Sequence, residues 1–187
     1  AGLSPIGLLA AMSLRLRNAD VWGLDVVDAA TARPQWLARI GGRYLDGRQV
    51  TPEQARDQVG TFDVIVDGTG VATLEFELID ALATNGVYAI TGIPAGDRPI
   101  SVSGAALMRQ LVLRNQVVLG SVNASRDHFQ LAVDDLVLAE TRWPGCAADL
   151  ITHRHPCADF GPALEHHGDG EIKVVLEWSD ATEAHHG

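Results

Sequence analysis

Gly2-Leu3-Ser4-Pro5-Ile6-Gly7 (GLSPIG, residues 2–7), followed by the run Asp20–Val27 (DVWGLDVV), is the stretch whose reading decides the fold. The first piece has the spacing GxGxxG, with Ser4 where the middle glycine usually stands. In a strand–turn–helix unit the first glycine allows a tight turn and the middle one lets backbone approach a pyrophosphate. The last lets helix and strand pack closely. The helix that follows offers unsatisfied N–H groups and the positive end of its dipole to phosphate. Serine at position 4 keeps the close approach open, and its hydroxyl can donate to a phosphate oxygen. An ordinary Gly-rich loop entering a helix has the same appearance, so the turn alone leaves both readings standing. Asp25, 23 residues after Gly2, narrows the choice. A carboxylate near that offset accepts from the hydroxyls of an adenosine ribose and repels a 2′-phosphate. Asp28 is the rival for this role. Val26 and Val27 follow Asp25 directly and the next arginine is Arg33, a pattern that favours NAD over NADP.

Outward from this unit, short apolar runs alternate with amphipathic stretches, the pattern of βαβ units on a parallel sheet. The expected helices are 4–17, 34–40, 52–59, 73–83, 104–114, 128–139 and 159–165, with Thr51 capping the third and Gln54 forming part of an imperfect capping box. The expected strands are 20–27, 43–45, 62–67, 86–91, 116–122, 150–153 and 172–178. The fold class that follows is α/β, a Rossmann-type doubly wound parallel sheet. Such a sheet needs a central strand just before the phosphate turn, and these residues open inside that turn, so the expected sheet lacks its first strand. Residues 1–178 read as one dinucleotide-binding domain, and 179–187 as a frayed tail.

Open parallel sheets bind ligands outside the carboxyl ends of their strands. Small or polar residues stand at those ends: Thr69, Thr91-Gly92-Ile93 and Ser121-Val122-Asn123. Gly68, Gly70 and Gly92 leave room for a nicotinamide ribose, though each also suits an ordinary turn. The formal net charge of −10 excludes a nucleic-acid partner, which requires clustered Lys and Arg. No apolar run reaches the roughly 18 residues that span a bilayer, and no signal peptide opens the sequence. Cys146 and Cys157 form neither a CxxC pair nor a disulfide framework, which places the protein in the cytoplasm. The pairs His166-His167 and His185-His186 do not share a helix face, and His153 and His155 have no partner set for zinc, so no metal site is expected in this chain. No nucleophile motif occurs, and Trp22, Trp36, Trp143 and Trp178 read as core or rim packing.

Five stretches taken together resemble one family: GLSPIGLL (2–9), FDVIVDGTG (62–70), ALATNGVYAITGI (81–93), GSVNASRDHFQLAV (120–133) and HGDGEIKVVLEW (167–178). They are similar to the C-terminal cofactor domain of the glucose dehydrogenases in the medium-chain, zinc-dependent alcohol dehydrogenase superfamily. The most specific piece is Gly120–Asn123 followed by His128-Phe129-Gln130, which a generic Rossmann domain does not need. The resemblance implies oxidation at C1 of glucose or another aldose, with hydride passing to NAD or NADP and a lactone as product. It implies cofactor contacts at Gly2, Leu3, Ser4, Pro5, Ile6 and Gly7, at Asp25, Val26 and Val27, and at Thr69. It extends these to Thr91, Gly92 and Ile93 and to Ser121, Val122 and Asn123, with the Asn123 amide also facing the sugar. Zinc and the proton relay would belong to an N-terminal, GroES-like catalytic domain absent from this chain, which leaves no catalytic residue within it. Better-known members carry arginine where Val26 and Val27 stand, a departure that supports NAD. The family also pairs cofactor domains near residues 116–122, which implies a homo-oligomer, dimer or tetramer. Another polyol or alcohol dehydrogenase of the superfamily, or a non-catalytic nucleotide-binding or assembly module, fits the same residues less fully.

Overall fold

The computed structural model describes residues 1–165, 168 and 170–178. Ser4 opens α1 (Pro5–Leu16), its hydroxyl accepting from the Gly7 amide, while Pro5 fills the first helical position, where a missing N–H costs nothing. Leu8, Ala11 and Met12 recur at helical spacing and form the buried face of α1. The chain then runs through β1 (Trp22–Asp25), α2 (Ala32–Arg39), β2 (Arg43–Asp46), α3 (Pro52–Val59) and β3 (Phe62–Asp67). It continues through α4 (Ala72–Ile79), β4 (Leu82–Ile90), α5 (Gly104–Leu113), β5 (Val117–Gly120) and α6 (Arg126–Arg142). It closes with β6 (Ile151–Pro156), α7 (Phe160–Glu165) and β7 (Lys173–Glu177).

Every strand pairing among the described residues is parallel: β1 with β2, β3 with β4, β4 with β5, and β6 with β7. Ala1 and Gly2 bridge the first two sheets. The Ala1 amine donates to the Val66 carbonyl at 2.6 Å, the Gly68 amide to the Ala1 carbonyl at 3.0 Å, and the Gly2 amide to the Leu24 carbonyl at 2.8 Å. The order across this face is therefore β2, β1, residues 1–2, β3, β4, β5. Behind the two bridging residues lies a cavity of about 340 Å³, walled by β1, β3 and the small residues Gly7, Ala10 and Ala11 of α1. Among the described residues nothing but Ala1 and Gly2 stands where the sequence pattern calls for a central strand.

Three expectations need correcting. The helix expected at 73–83 stops at Ile79, and β4 begins at Leu82, before the expected Gly86. Leu82 is completely buried and registers against Phe62, which draws the chain into the sheet; a register shift then accommodates Asn85, whose φ is +62°. The strands expected at 150–153 and 172–178 do not extend the alternation of the main sheet; β6 and β7 pair with each other in a sheet of their own. Trp178 is neither core nor rim but 82% exposed. The capping box at α3 is complete: Thr51 Oγ1 accepts from the Gln54 amide at 3.2 Å, and Gln54 Oε1 accepts from the Thr51 amide at 3.0 Å. Residues 179–187, with His185 and His186, lie outside the described residues, as do His166 and His167.

Two apolar cores hold the elements. One joins α1, α2 and α6 through Leu8, Met12, Leu37, Ile40 and Ala139, with the Trp36 indole donating to the Cys146 carbonyl at 2.8 Å. The other packs Ile65, Leu78, Ile79, Leu82 and Tyr88 between β3, β4 and α4. Each fully buried leucine contributes about 1.5–3 kcal/mol relative to leaving it in water. Two aspartates are buried among these residues, Asp67 and Asp135.

Candidate nucleotide-binding cleft

The Gly2–Gly7 turn is shaped by backbone contacts that no side chain tolerates. Gly2 has φ +79°, and a Cβ there would stand 3.0 Å from the Thr69 methyl. A Cβ on Gly7 would run into the Gly2 carbonyl. These are the demands the sequence spacing anticipates at its first and last glycines. The turn is fixed from the side by Asp25. Its Oδ2 accepts from the Leu3 amide and its Oδ1 from the Val26 amide, both at 2.6 Å. The acid thus ties β1 to the phosphate turn while each oxygen retains acceptor capacity.

Helix α1 starts with its first donors unequally used. Gly7 donates to Ser4 Oγ and Leu8 to the Ser4 carbonyl, and Pro5 has no N–H. Ile6 is exposed and occupies a first-turn position whose amide has no acceptor within a helix. Because the Ser4 hydroxyl accepts the cap bond, its own proton remains available to a phosphate oxygen.

A cleft of about 450 Å³ opens beside this turn, with Gly2, Ser4, Asp25, Val26, Gly68 and Thr69 on its walls. The structure therefore separates the two acids. Asp25 faces the cleft, whereas Asp28 turns away: its Oδ1 accepts from the Ala30 amide at 2.9 Å and its Oδ2 lies 3.4 Å from Arg48. Those contacts, the Ala30 amide foremost, hold the Asp28 carboxyl below its ordinary range. The Tyr44 hydroxyl donates to the carbonyls of Asp25 and Val27 at 2.7 and 2.6 Å and so fixes the backbone of this corner. Burial, reinforced by Asp46 and Asp25, pushes that phenol up to about 12, so it stays a donor at neutral pH.

The remaining expected residues fall into three groups. Leu3 is buried beneath the turn, and Val27 serves the corner through its carbonyl. Thr91 and Gly92 stand directly behind the cleft. Thr91 donates through its amide and its hydroxyl to the Asp67 carbonyl, both at 2.8 Å, and Gly92 donates to it at 3.1 Å. The Ile93 carbonyl abuts Gly70, while the Ile93 side chain is exposed. Ser121, Val122 and Asn123 extend from β5 in exposed positions, joined to β4 where the Ser121 amide meets the Ile90 carbonyl at 2.9 Å. They do not line the cleft.

Sequence reasoning missed Arg33, which α2 carries back onto the cleft wall, and the Gly47–Pro52 corner, whose Gly47 amide donates to the Asp25 carbonyl at 2.7 Å. Nothing in DGRQVTP (46–52) distinguishes that corner from a plain turn. Asp67 was also passed over: it is an acid at the end of an apolar strand, just before Gly-Thr-Gly, and the structure buries it completely. Among the described residues no group of three or more His, Cys, Asp or Glu is placed to hold a metal. No described helix is long and apolar enough to cross a membrane.

Comparison with known proteins identifies the family. The family described as "Glucose dehydrogenase C-terminus" matches residues 1–178. A glucose 1-dehydrogenase of Methanocella arvoryzae is 36% identical over 183 residues, covering 95% of this chain and 49% of that protein. The solved Haloferax mediterranei glucose dehydrogenase in complex with NADP, Zn and gluconolactone superposes with a TM-score of 0.85 at 30% identity, over 96% of this chain and 50% of that one. A 2R,3R-butanediol dehydrogenase of Bacillus subtilis, 19% identical with a TM-score of 0.72, shares the fold. The chain spans about half the length of the curated relatives it matches.

Proposed function

This chain belongs to the family of glucose dehydrogenase C-termini, and from that premise we propose that it is the cofactor-binding portion of an NAD(P)-dependent glucose or aldose 1-dehydrogenase. The observation that carries the reading is the Asp25 carboxylate, which receives the Leu3 amide and faces the same cleft as Gly2 and Ser4. It joins the phosphate turn to a ribose position in one rigid corner. When bound, the nicotinamide would supply the hydride acceptor for oxidation of the sugar's C1 hydroxyl to an aldonolactone, with the hydroxyl proton released to a general base or solvent.

This chain's residues bind and orient. The Ile6 amide and the Ser4 hydroxyl face the pyrophosphate at the start of α1, with Leu3, Pro5 and Gly7 shaping the approach. Asp25 receives the adenosine ribose, with Val26 and Val27 beside it. Thr69, Thr91, Gly92 and Ile93 shape the nicotinamide side, together with Ser121, Val122 and Asn123, and the Asn123 amide bonds a sugar hydroxyl. Among the described residues no group of three or more His, Cys, Asp or Glu is placed to hold zinc. Exposed Val117, Leu119 and Val122 along the free edge of β5 support a homo-oligomer, dimer or tetramer, whose mass sedimentation equilibrium would read. The free cysteines Cys146 and Cys157 support a reducing, cytoplasmic setting.

Isothermal titration with NAD and NADP tests the reading. NAD is expected to bind more tightly by roughly tenfold, because Asp25 repels a 2′-phosphate. Arg33 is the counterweight on the cleft wall, so Arg33→Ala should weaken NADP more than NAD. Tighter NADP binding would reverse the preference, and a folded chain that bound neither nucleotide would refute the function.

A further inference from the structure

Asp67 stands at the end of β3, wholly buried, and none of the cofactor positions expected from sequence includes it. Its main-chain carbonyl receives three donors: the Thr91 amide, the Thr91 hydroxyl and the Gly92 amide. Its carboxylate Oδ1 receives the Thr69 amide at 2.9 Å. One residue therefore gathers both segments that form the nicotinamide side of the cleft. The side-chain bond closes a turn over 67–69 that fixes the Asp67 peptide and so aims its carbonyl at Thr91 and Gly92.

The other carboxylate oxygen is unusual. Asp67 Oδ2, the Tyr88 hydroxyl and one oxygen of Glu75 are each buried without a hydrogen-bond partner. Tyr88, on β4, is completely buried, and its hydroxyl comes near enough to the Asp67 carboxylate for the two to interact, though outside full hydrogen-bond geometry; Glu75 approaches from α4. Burial first, then the charge of Asp67, pushes the Glu75 carboxyl above its ordinary range, and burial pushes the Tyr88 phenol far upward. Unsatisfied buried polar groups are costly, and they persist where function requires them.

We propose that Asp67 is a positioning residue for the nicotinamide half of the dinucleotide, held in place from beneath by Tyr88 and Glu75. The inference rests on the nucleotide-binding reading and deepens it. The adenosine half is anchored elsewhere, at Gly2 and Asp25, so loosening Asp67 should affect the two halves of the ligand unequally.

The test titrates the chain with NADH, read by the emission of the reduced nicotinamide, and with ADP-ribose, which lacks the nicotinamide. Asp67→Ala should weaken NADH by about tenfold and shift its emission toward that of free NADH, while ADP-ribose changes by less than about twofold. Asp67→Asn keeps an oxygen for the Thr69 amide and should recover most of the loss. Should Asp67→Ala fail to fold, Tyr88→Phe decides the matter. It removes one buried oxygen, should weaken NADH by about threefold with ADP-ribose unchanged, and should speed hydrogen exchange at the amides of Thr69, Thr91 and Gly92. Equal losses for both ligands, or no loss for either, would overturn the proposal. An unsubstituted chain that bound ADP-ribose but not NADH would overturn it too, leaving the adenosine site intact. Failure to bind either ligand would refute the nucleotide reading, and this inference with it.

Discussion

Asp67 and Asp135 are the two buried aspartates among the described residues, and they are treated in opposite ways. Asp135, on α6, is fully satisfied. Ser13 donates to its Oδ2 at 2.6 Å, and Arg17 reaches both oxygens, at 2.8 and 3.2 Å. That arrangement clamps α6 onto α1, and Arg17 holds the carboxyl below its ordinary range. Among the described residues Asp67 has no guanidinium bonded to it, only one amide on one oxygen and no partner on the other. A buried charge with a bidentate guanidinium is explained by the fold it holds together. A buried charge left short of donors, beneath a cleft, is explained by what it aims. The difference separates a packing acid from a site acid without reference to any relative.

Substitutions can break that comparison. The largest effect is expected at Gly92→Ala, on the Asp67 side. A Cβ there would strike the Gly70 amide, a backbone atom that cannot swing away. Denaturant unfolding should show a loss of about 3 kcal/mol, and calorimetric titration a loss of NADH binding. Asp135→Ala comes next. It should cost about 1–3 kcal/mol by the same unfolding measurement, with NADH affinity unchanged under conditions where the chain is folded. If Asp135→Ala weakened NADH as much as Asp67→Ala, the two acids would not differ in kind.

Acidity sharpens the contrast with a smaller effect. The Asp135 carboxyl is lowered from 3.8, so its stabilising contribution is present above that value and is lost as pH falls through the lower folded-state value. The Glu75 carboxyl is raised from 4.5, so the folded state loses ground as pH rises from there through the raised value. Unfolding curves between about pH 3 and about pH 7 should therefore change at opposite ends. Asp135→Asn should flatten the acid limb, and Glu75→Gln the limb toward neutrality.

How much of this was legible in the sequence depended on how local each constraint is. The Gly2–Gly7 turn could be read because its glycines meet their own neighbours, and Asp25 because it lies a short crossover away. The sequence favoured Asp25 over Asp28 by spacing alone; the contacts that engage Asp28, with the Ala30 amide and Arg48, were not visible there. The start of β4 was misplaced because Leu-Ala-Thr-Asn suits a helix end, and only the burial of Leu82 against Phe62 pulls it into a strand. Arg33 was set aside for its distance along the chain, a distance that α2 folds away. Asp67 works through Thr91, 24 residues distant, and Tyr88, and no spacing rule links those positions. The pairing of β6 with β7 is likewise a choice between distant partners that an apolar pattern does not express.

The Trp36–Cys146 contact has a practical outcome. The Cys146 sulfur has no exposure, and burial pushes its thiol up, so an alkylating reagent reaches it only when the packing of α1, α2 and α6 opens. Cys157 is partly exposed and offers the same reagent an unguarded target. The chain thus carries its own clock and its own control: labelling at one sulfur times the breathing of the interior, while labelling at the other shows that the reagent was present throughout.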